Sequence, residues 1–327
     1  MEHDAPELSV IIPVFNEGDN LRALVARLVP ALACVKDFEI VFVDDGSSDK
    51  TLEVARALNA ADPRIVALSF SRNFGKEIAI AAGVDAARGK GAVIMDADLQ
   101  HPPEAIAAFV EKWREGYQNI FGVRRSRDTD SPARKRLTRY FYRLFRTFGE
   151  IGLPEGAGDF RLLDRVALDA LKTLREQARF SKGLYAWIGF RSIGVPFDVA
   201  ERHAGQSKFS YRKLTRFALD GLVSFTTVPL KVWTYIGMAV AAFALANALY
   251  YVLETLIWGV SAPGFATLVV SITFFAGVQL ISLGVLGEYI GRVFAEVKGR
   301  PLYLVQERIG GASVARGQSA RTETAKF

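Results

Sequence analysis

Residues 8–49 read LSVIIPVFNEGDNLRALVARLVPALACVKDFEIVFVDDGSSD, and this stretch decides the fold. Two runs, 8–13 and 38–43, are apolar almost throughout, and a helical pattern over 20–33 separates them. Strands that are apolar at every position, rather than at alternate ones, are buried on both faces. Two such strands joined by a helix form the repeat of a parallel α/β sheet. The repeat continues outward, with strand-like runs at 65–69, 92–95 and 119–122 and helical patterns at 51–61, 77–87 and 103–115. The fold class is therefore α/β with a mostly parallel sheet. Ligands of such sheets bind beyond the carboxyl ends of the strands, so chemistry is expected just after each one.

After the first strand stand Pro13, Phe15, Asn16 and Glu17; after the second, Asp44, Asp45, Gly46, Ser47, Ser48 and Asp49. Gly46 permits a sharp turn, and Ser47, Ser48 or Asp49 can cap the next helix. A strand-end carboxylate can be no more than such a cap, or it can accept hydrogen bonds from a nucleobase or ribose. After the fourth strand comes DADLQHPP (96–103). In an extended segment side chains alternate, which would point Asp96, Asp98 and Gln100 the same way. Three oxygen donors make a partial shell for a hard divalent cation, Mg²⁺ or Mn²⁺, with room for water and diphosphate oxygens. Without a cation the two carboxylates would repel. His101 reads as a support for that shell or as a first-turn helix residue, and Cys34 as a small apolar packer.

Composition narrows the field. Half of the 327 residues are hydrophobic and 23% are charged, which excludes a disordered chain. One cysteine and three scattered histidines exclude an internal disulfide and a cysteine- or histidine-rich metal site. The glycine fingerprints of dinucleotide folds and P-loops are absent. Lys plus Arg is 41 against 35 acidic residues, a net charge of +6. Six of these bases fall in residues 134–146 without an acid, interleaved with Tyr140, Phe141, Tyr142 and Phe145. That pattern reads as a helix on a lipid surface with anionic headgroups rather than as a nucleic-acid patch.

The last third changes character. Positions 232–253 and 255–287 carry no charge, 22 and 33 residues respectively, and Pro263-Gly264 interrupts the second run. About 20 mainly apolar residues cross the hydrocarbon core of a bilayer. The expectation is a two-helix transmembrane hairpin over 229–288, with helices near 229–258 and 265–288. Lys and Arg flank both outer ends and are missing from the connecting loop, which places both termini in the cytoplasm. No signal peptide opens the sequence. The expected division is an α/β domain over 1–207, a juxtamembrane helix over 208–228, the hairpin, and a C-terminal segment with a disordered tail over 289–327. Localisation at the inner (cytoplasmic) membrane, multi-pass, follows. Gly237, Ala241, Ala244 and Ala248 offer small residues for homo-oligomer contact.

Taken in order, SVIIPVFNE (9–17), VDDGSSD (43–49), SRNFGKE (71–77), MDADLQHPP (95–103), GDFRLLD (158–164) and ERHAGQSKFS (201–210) resemble glycosyltransferase family 2 with its GT-A fold. With the hairpin, the chain looks like the polyprenyl-phosphate glycosyltransferase branch of that family. The resemblance implies inverting transfer of a sugar from a nucleotide-sugar to a polyprenyl (undecaprenyl) phosphate at a lipid bilayer, with UDP-glucose the favoured donor. GDP-mannose or a UDP-aminosugar are alternatives, as is a non-catalytic membrane scaffold. It implies that Pro13, Phe15, Glu17, Val43, Asp45 and Lys76 surround the base and ribose, with Ala97 at the ribose. It further implies that Asp96, Asp98 and Gln100 hold Mg²⁺ or Mn²⁺, and that Arg124, or Arg125 beside it, reaches a phosphate. Arg202 and Lys208 would clamp acceptor phosphate and donor diphosphate. Asp159 would be the active-site acid, either as a base or as a group that orients the sugar. Residues 177–180, Gln-Ala-Arg-Phe, do not complete the Q-x-x-R-W motif of the processive synthases.

Overall fold

The computed structural model describes residues 5–125, 157–177, 179–198, 228–258 and 264–310. Strands β1 (Leu8–Val14), β2 (Phe38–Asp44), β3 (Ile65–Phe70) and β4 (Gly91–Ile94) alternate with helices α1 (Gly18–Ala31), α2 (Thr51–Ala61) and α3 (Lys76–Ala86). Then follow α4 (Ile106–Arg114), β5 (Asn119–Arg124), β6 (Ala157–Asp164), α5 (Arg165–Thr173), α6 (Ser181–Trp187) and β7 (Ser192–Phe197). The chain continues through α7 (Val228–Trp258) and α8 (Phe265–Val297) to β8 (Val305–Ile309). Among the described residues the strands form one eight-stranded sheet in the order β7-β5-β6-β4-β1-β2-β3-β8.

β1 pairs in parallel with β2 on one side and β4 on the other, so the chain reverses its direction of travel across the sheet at β1. The crevice of such a sheet opens at that reversal. The continuous apolar runs are explained by burial: Val10, Ile11, Ile12, Ile40, Val41, Phe42 and Val43 are all fully covered. α3 lies directly on this floor. A Cβ at Gly83 would collide with the Ile11 side chain, so only glycine allows the approach.

Three strands go beyond the expected parallel set. β6 runs antiparallel between β4 and β5, with Gly91 opposite Asp164 and Ile94 opposite Arg161. β7 covers one edge, and β8 pairs antiparallel with β3 at the other. The segment after the hairpin is therefore part of the same sheet up to Ile309. α8 also runs on to Val297, beyond the expected end at 288. The basic stretch 134–146, the 201–210 motif, the juxtamembrane segment up to 227 and the tail from 311 lie outside the described residues. Within the described part of the hairpin, Phe274–Val297 is long and apolar enough to cross a membrane.

Gly83 offers a sign test. In an exposed helix, Gly→Ala stabilises by about 1 kcal/mol, whereas overpacking a core costs about 1–3 kcal/mol. Because the new methyl meets a fully buried Ile11, Gly83→Ala should lower the thermal unfolding midpoint, and Ile11→Ala should cost less in the Gly83→Ala background than in the parent protein.

Candidate active site

The loops at the carboxyl ends of β1, β2 and β4 meet above the reversal at β1. Asn16, at φ 55°, ties the first loop to the second. Its N–H donates to Ser47 Oγ and its Oδ1 accepts from Ser48 N–H, both at 2.9 Å. Glu17 N–H donates to Thr51 Oγ1 at 2.9 Å, and the Glu17 carboxylate accepts from Asn20 Nδ2 at 2.6 Å. Gly46, at φ 71°, lies so close to Arg72 that a Cβ would sit 2.6 Å from its carbonyl carbon. Asp44 is structural: it accepts from Ser47 N–H and from Ser69 Oγ–H. Asp45 instead reaches the loop before α3, accepting from Phe74 N–H at 2.6 Å and Gly75 N–H at 2.9 Å. Burial pushes the Asp45 carboxyl above its usual range, against the pull of those two N–H groups.

The segment after β4 departs from the sequence expectation. Residues 97–99 make a turn rather than an extended run, with Leu99 at φ 60° and Gln100 N–H donating to Asp98 Oδ1 at 3.1 Å. Exposure nevertheless alternates: Asp96, Asp98 and Gln100 are half-buried, while Ala97 and Leu99 are buried in the core. Asp96 is held from behind by His101, whose Nδ1 accepts from Asp96 N–H at 3.2 Å. The His101 ring stacks on Phe160 at 4.9 Å. Burial holds the imidazole below its ordinary value of 6.5, so it is neutral and Nδ1 can accept.

The β4–β6 register carries the site. Ile94 faces Arg161, so two residues onward from Ile94 and two back from Arg161 bring Asp96 opposite Asp159. The ammonium of Lys76, the first residue of α3, lies between them, 2.6 Å from Asp96 Oδ1 and 2.9 Å from Asp159 Oδ2. Burial works against charge on both Asp159 and Lys76, yet the pair prevails. Lys76, then Lys182 and Arg161, holds the Asp159 carboxyl well below the usual carboxylate range, and Asp159 and Asp96 raise Lys76. Asp159 Oδ1 is buried with no hydrogen-bond partner among the described residues.

Sequence reasoning missed the layer beneath. Arg161 is 2% exposed and shares a face of β6 with Asp159. Its guanidinium lies 3.6 Å from the centre of the Tyr185 ring, and Nη2 donates to the Gly158 carbonyl at 2.7 Å. Glu77 caps α6 by accepting from Ser181 N–H at 3.1 Å, and burial and the Asp159 charge raise its carboxyl. An arginine between Phe160 and Leu162, two residues from Asp159, was the available signal.

Of the other expected residues, Pro13, Phe15 and Glu17 are half-buried at the first loop. The Val43 and Ala97 side chains are buried in the core, which leaves only their backbone able to meet a ligand. Lys76 meets the two acids after β4 and on β6. Arg124 is exposed at the end of β5, and Arg125 pairs with Asp198 at 3.3 Å. Arg202 and Lys208 lie outside the described residues. Among the described residues no three His, Cys, Asp or Glu side chains converge to hold a metal. The Asp96–Asp98–Gln100 set still fits a cation that takes its remaining oxygens from a phosphate ligand and water, and Asp96 already holds a cationic group.

These features define an α/β protein with a carboxylate- and lysine-lined cleft at its strand ends, followed by a helical hairpin. Residues 9–172 match the family model "Glycosyl transferase family 2", and residues 228–293 match "GtrB C-terminal hairpin". An uncharacterized glycosyltransferase of Synechocystis is 49% identical over 93% of this chain and 96% of its own. A prophage-derived bactoprenol glucosyl transferase of Shigella flexneri is 42% identical over 92% and 98%. A prophage bactoprenol glucosyl transferase homolog of Escherichia coli is 40% identical over 92% and 98%. The chain belongs to glycosyltransferase family 2.

His101 generates a pH prediction. Its folded pKa is depressed, so below 6.5 the unfolded chain takes up a proton that the folded protein refuses. The stability contributed by neutral His101 is therefore present above 6.5 and lost as pH falls toward the lowered folded value. His101→Phe keeps the ring but leaves Asp96 N–H unpaired, at about 1–3 kcal/mol. Thermal unfolding should show the variant less stable at pH 7.5, with a smaller further drop at pH 5.5 than the parent protein.

Proposed function

We propose that this protein transfers glucose from UDP-glucose to a polyprenyl phosphate at the cytoplasmic face of a membrane, inverting the anomeric centre. The observation that carries the reading is the union, in one chain, of the Asp96–Lys76–Asp159 cleft with the apolar hairpin. A polyprenyl chain stays in the bilayer while its headgroup must reach the cleft, and α7 and α8 would hold the cleft there. The bactoprenol glucosyl transferases of similar sequence support both acceptor and sugar.

In this reading the acceptor phosphate oxygen attacks the anomeric carbon as the bond from that carbon to the nucleoside diphosphate oxygen breaks on the opposite side. Asp96, Asp98 and Gln100 would hold Mg²⁺ or Mn²⁺, which when bound offsets charge on the departing diphosphate. Arg124, Arg202 and Lys208 would add fixed positive charge. Asp159 is held ionised and is therefore a weak base. A phosphate monoester is already largely anionic near neutral pH, its second pKa being about 6, and needs little deprotonation. Asp159 thus orients the sugar and stabilises positive charge at the anomeric carbon through the part of its carboxylate that faces the cleft beside Lys76. Pro13, Phe15, Glu17 and Asp45, with the backbone at Val43 and Ala97, line the nucleotide side.

The test is to incubate the purified full-length protein with undecaprenyl phosphate and a panel of nucleotide-sugars, then weigh the lipid product. UDP-glucose should give a hexosyl phospholipid whose anomeric configuration is opposite to the donor's. A product formed only from GDP-mannose or a UDP-aminosugar would reject the donor, and none from any donor would reject the transfer. EDTA should stop turnover and Mg²⁺ or Mn²⁺ restore it. Asp98→Ala should cost at least about 100-fold, and near-normal activity in that variant would reject the metal assignment.

A further inference from the structure

Lys76 has a position that the transfer reaction as written does not use. Its starting point is fixed: Gly75, at φ 103°, gives its N–H to Asp45, and α3 begins at the next residue. From there the side chain spans two carboxylates contributed by the loop after β4 and by β6. The ammonium and a divalent cation seek the same oxygens on Asp96, and two positive charges at one carboxylate repel.

We infer that Lys76 is a built-in competitor for the divalent cation: its ammonium bridges Asp96 and Asp159, offsetting part of their charge, and gives up Asp96 when the metal enters. The inference rests on the reading of Asp96 and Asp98 as metal ligands. Two consequences follow from the geometry. The facing carboxylates do not need a metal to offset their repulsion, so the cleft keeps its shape before substrate arrives. The ion alone binds weakly, because it must displace an ammonium and finds only two carboxylates and an amide from residues 96–100. The diphosphate of the donor, which brings further oxygens, therefore loads the metal together with the sugar. After the exchange Lys76 remains paired with Asp159.

The experiment titrates full-length protein with Mn²⁺ alone and follows free Mn²⁺ by electron paramagnetic resonance. Lys76→Met should bind Mn²⁺ roughly fivefold more tightly than the parent, the upper range for loss of a partly exposed ion pair. Lys76→Gln, which keeps a hydrogen-bond donor near Asp159, should also bind more tightly and serves if the Met variant does not fold. Arg56→Met removes an equal charge from the exposed Glu307 pair at the far edge of the sheet and should leave Mn²⁺ affinity unchanged. Asp98→Asn should weaken it. If both Lys76 variants bind no tighter than Arg56→Met while Asp98→Asn binds worse, competition is overturned and the metal site stands. If Asp98→Asn binds Mn²⁺ as well as the parent, the metal reading itself fails.

Discussion

The antiparallel pairing of β6 with β4 is the constraint on which the cleft depends. Parallel strands alone would deliver Asp45 and Asp96 to one edge, as in any sheet of this class. By running the other way, β6 carries Asp159 past the end of β4 to face Asp96. Two carboxylates brought together at a half-buried strand end need nearby positive charge, since an uncompensated buried ion costs several kcal/mol. Lys76 supplies it by direct contact, and Lys182 and Arg161 add to it at Asp159. Arg161 is itself tolerable in the sheet because a ring face, the Gly158 carbonyl and Asn119 Oδ1 receive its guanidinium. The alternation of charge across β6 thus follows from strand register.

The turn at 97–99 is strained and held by packing. A non-glycine residue in the left-handed region costs about 1–2 kcal/mol. Leu99 occupies it at φ 60° while being 2% exposed, and burying a leucine stabilises by about 1.5–3 kcal/mol. The two terms nearly balance, and the His101 bond to Asp96 N–H, with the ring stacked on Phe160, tips the loop toward a single shape. Ala97 and Leu99 anchor into the core while Asp96, Asp98 and Gln100 are left partly exposed.

The parallel half of the fold is legible because its strands are buried on both faces and read as apolar runs, with ends within two residues of those expected. β6, β7 and β8 are not legible for the same reason inverted. β6 contains Asp159 and Arg161, whose charges are matched only by tertiary partners. β7 is an edge strand with a glycine and a proline. β8, Val-Gln-Glu-Arg-Ile, is mainly polar and pairs only because β3 offers an edge. The segment 96–100 carries the right residues in the right order, but its turn depends on Leu99 finding the core, which local sequence cannot express. Lys76 belongs to the quoted motif 71–77, yet its bridge to Asp96 and Asp159 joins three distant segments and depends on the register of β6.

β8 also changes what the hairpin does. After α8 ends at Val297, Tyr303 stacks on Phe70 and gives its hydroxyl proton to Asp85, Leu304 accepts from Ser71 N–H, and β8 joins β3. The α5–α6 connection reaches back, with Gln177 N–H on Glu296 and its side chain on the Arg300 carbonyl. Exposed polar contacts of this kind are each worth little. Backbone pairing and the burial of Leu302 and Ile309 supply the larger part. The helix that would enter the bilayer is therefore not hung from a flexible linker: its end is built into the sheet edge, next to the helix whose first residue is Lys76. If α8 enters a bilayer as proposed, the tilt of the cleft over it would follow from strand pairing at this edge rather than from the reach of a linker.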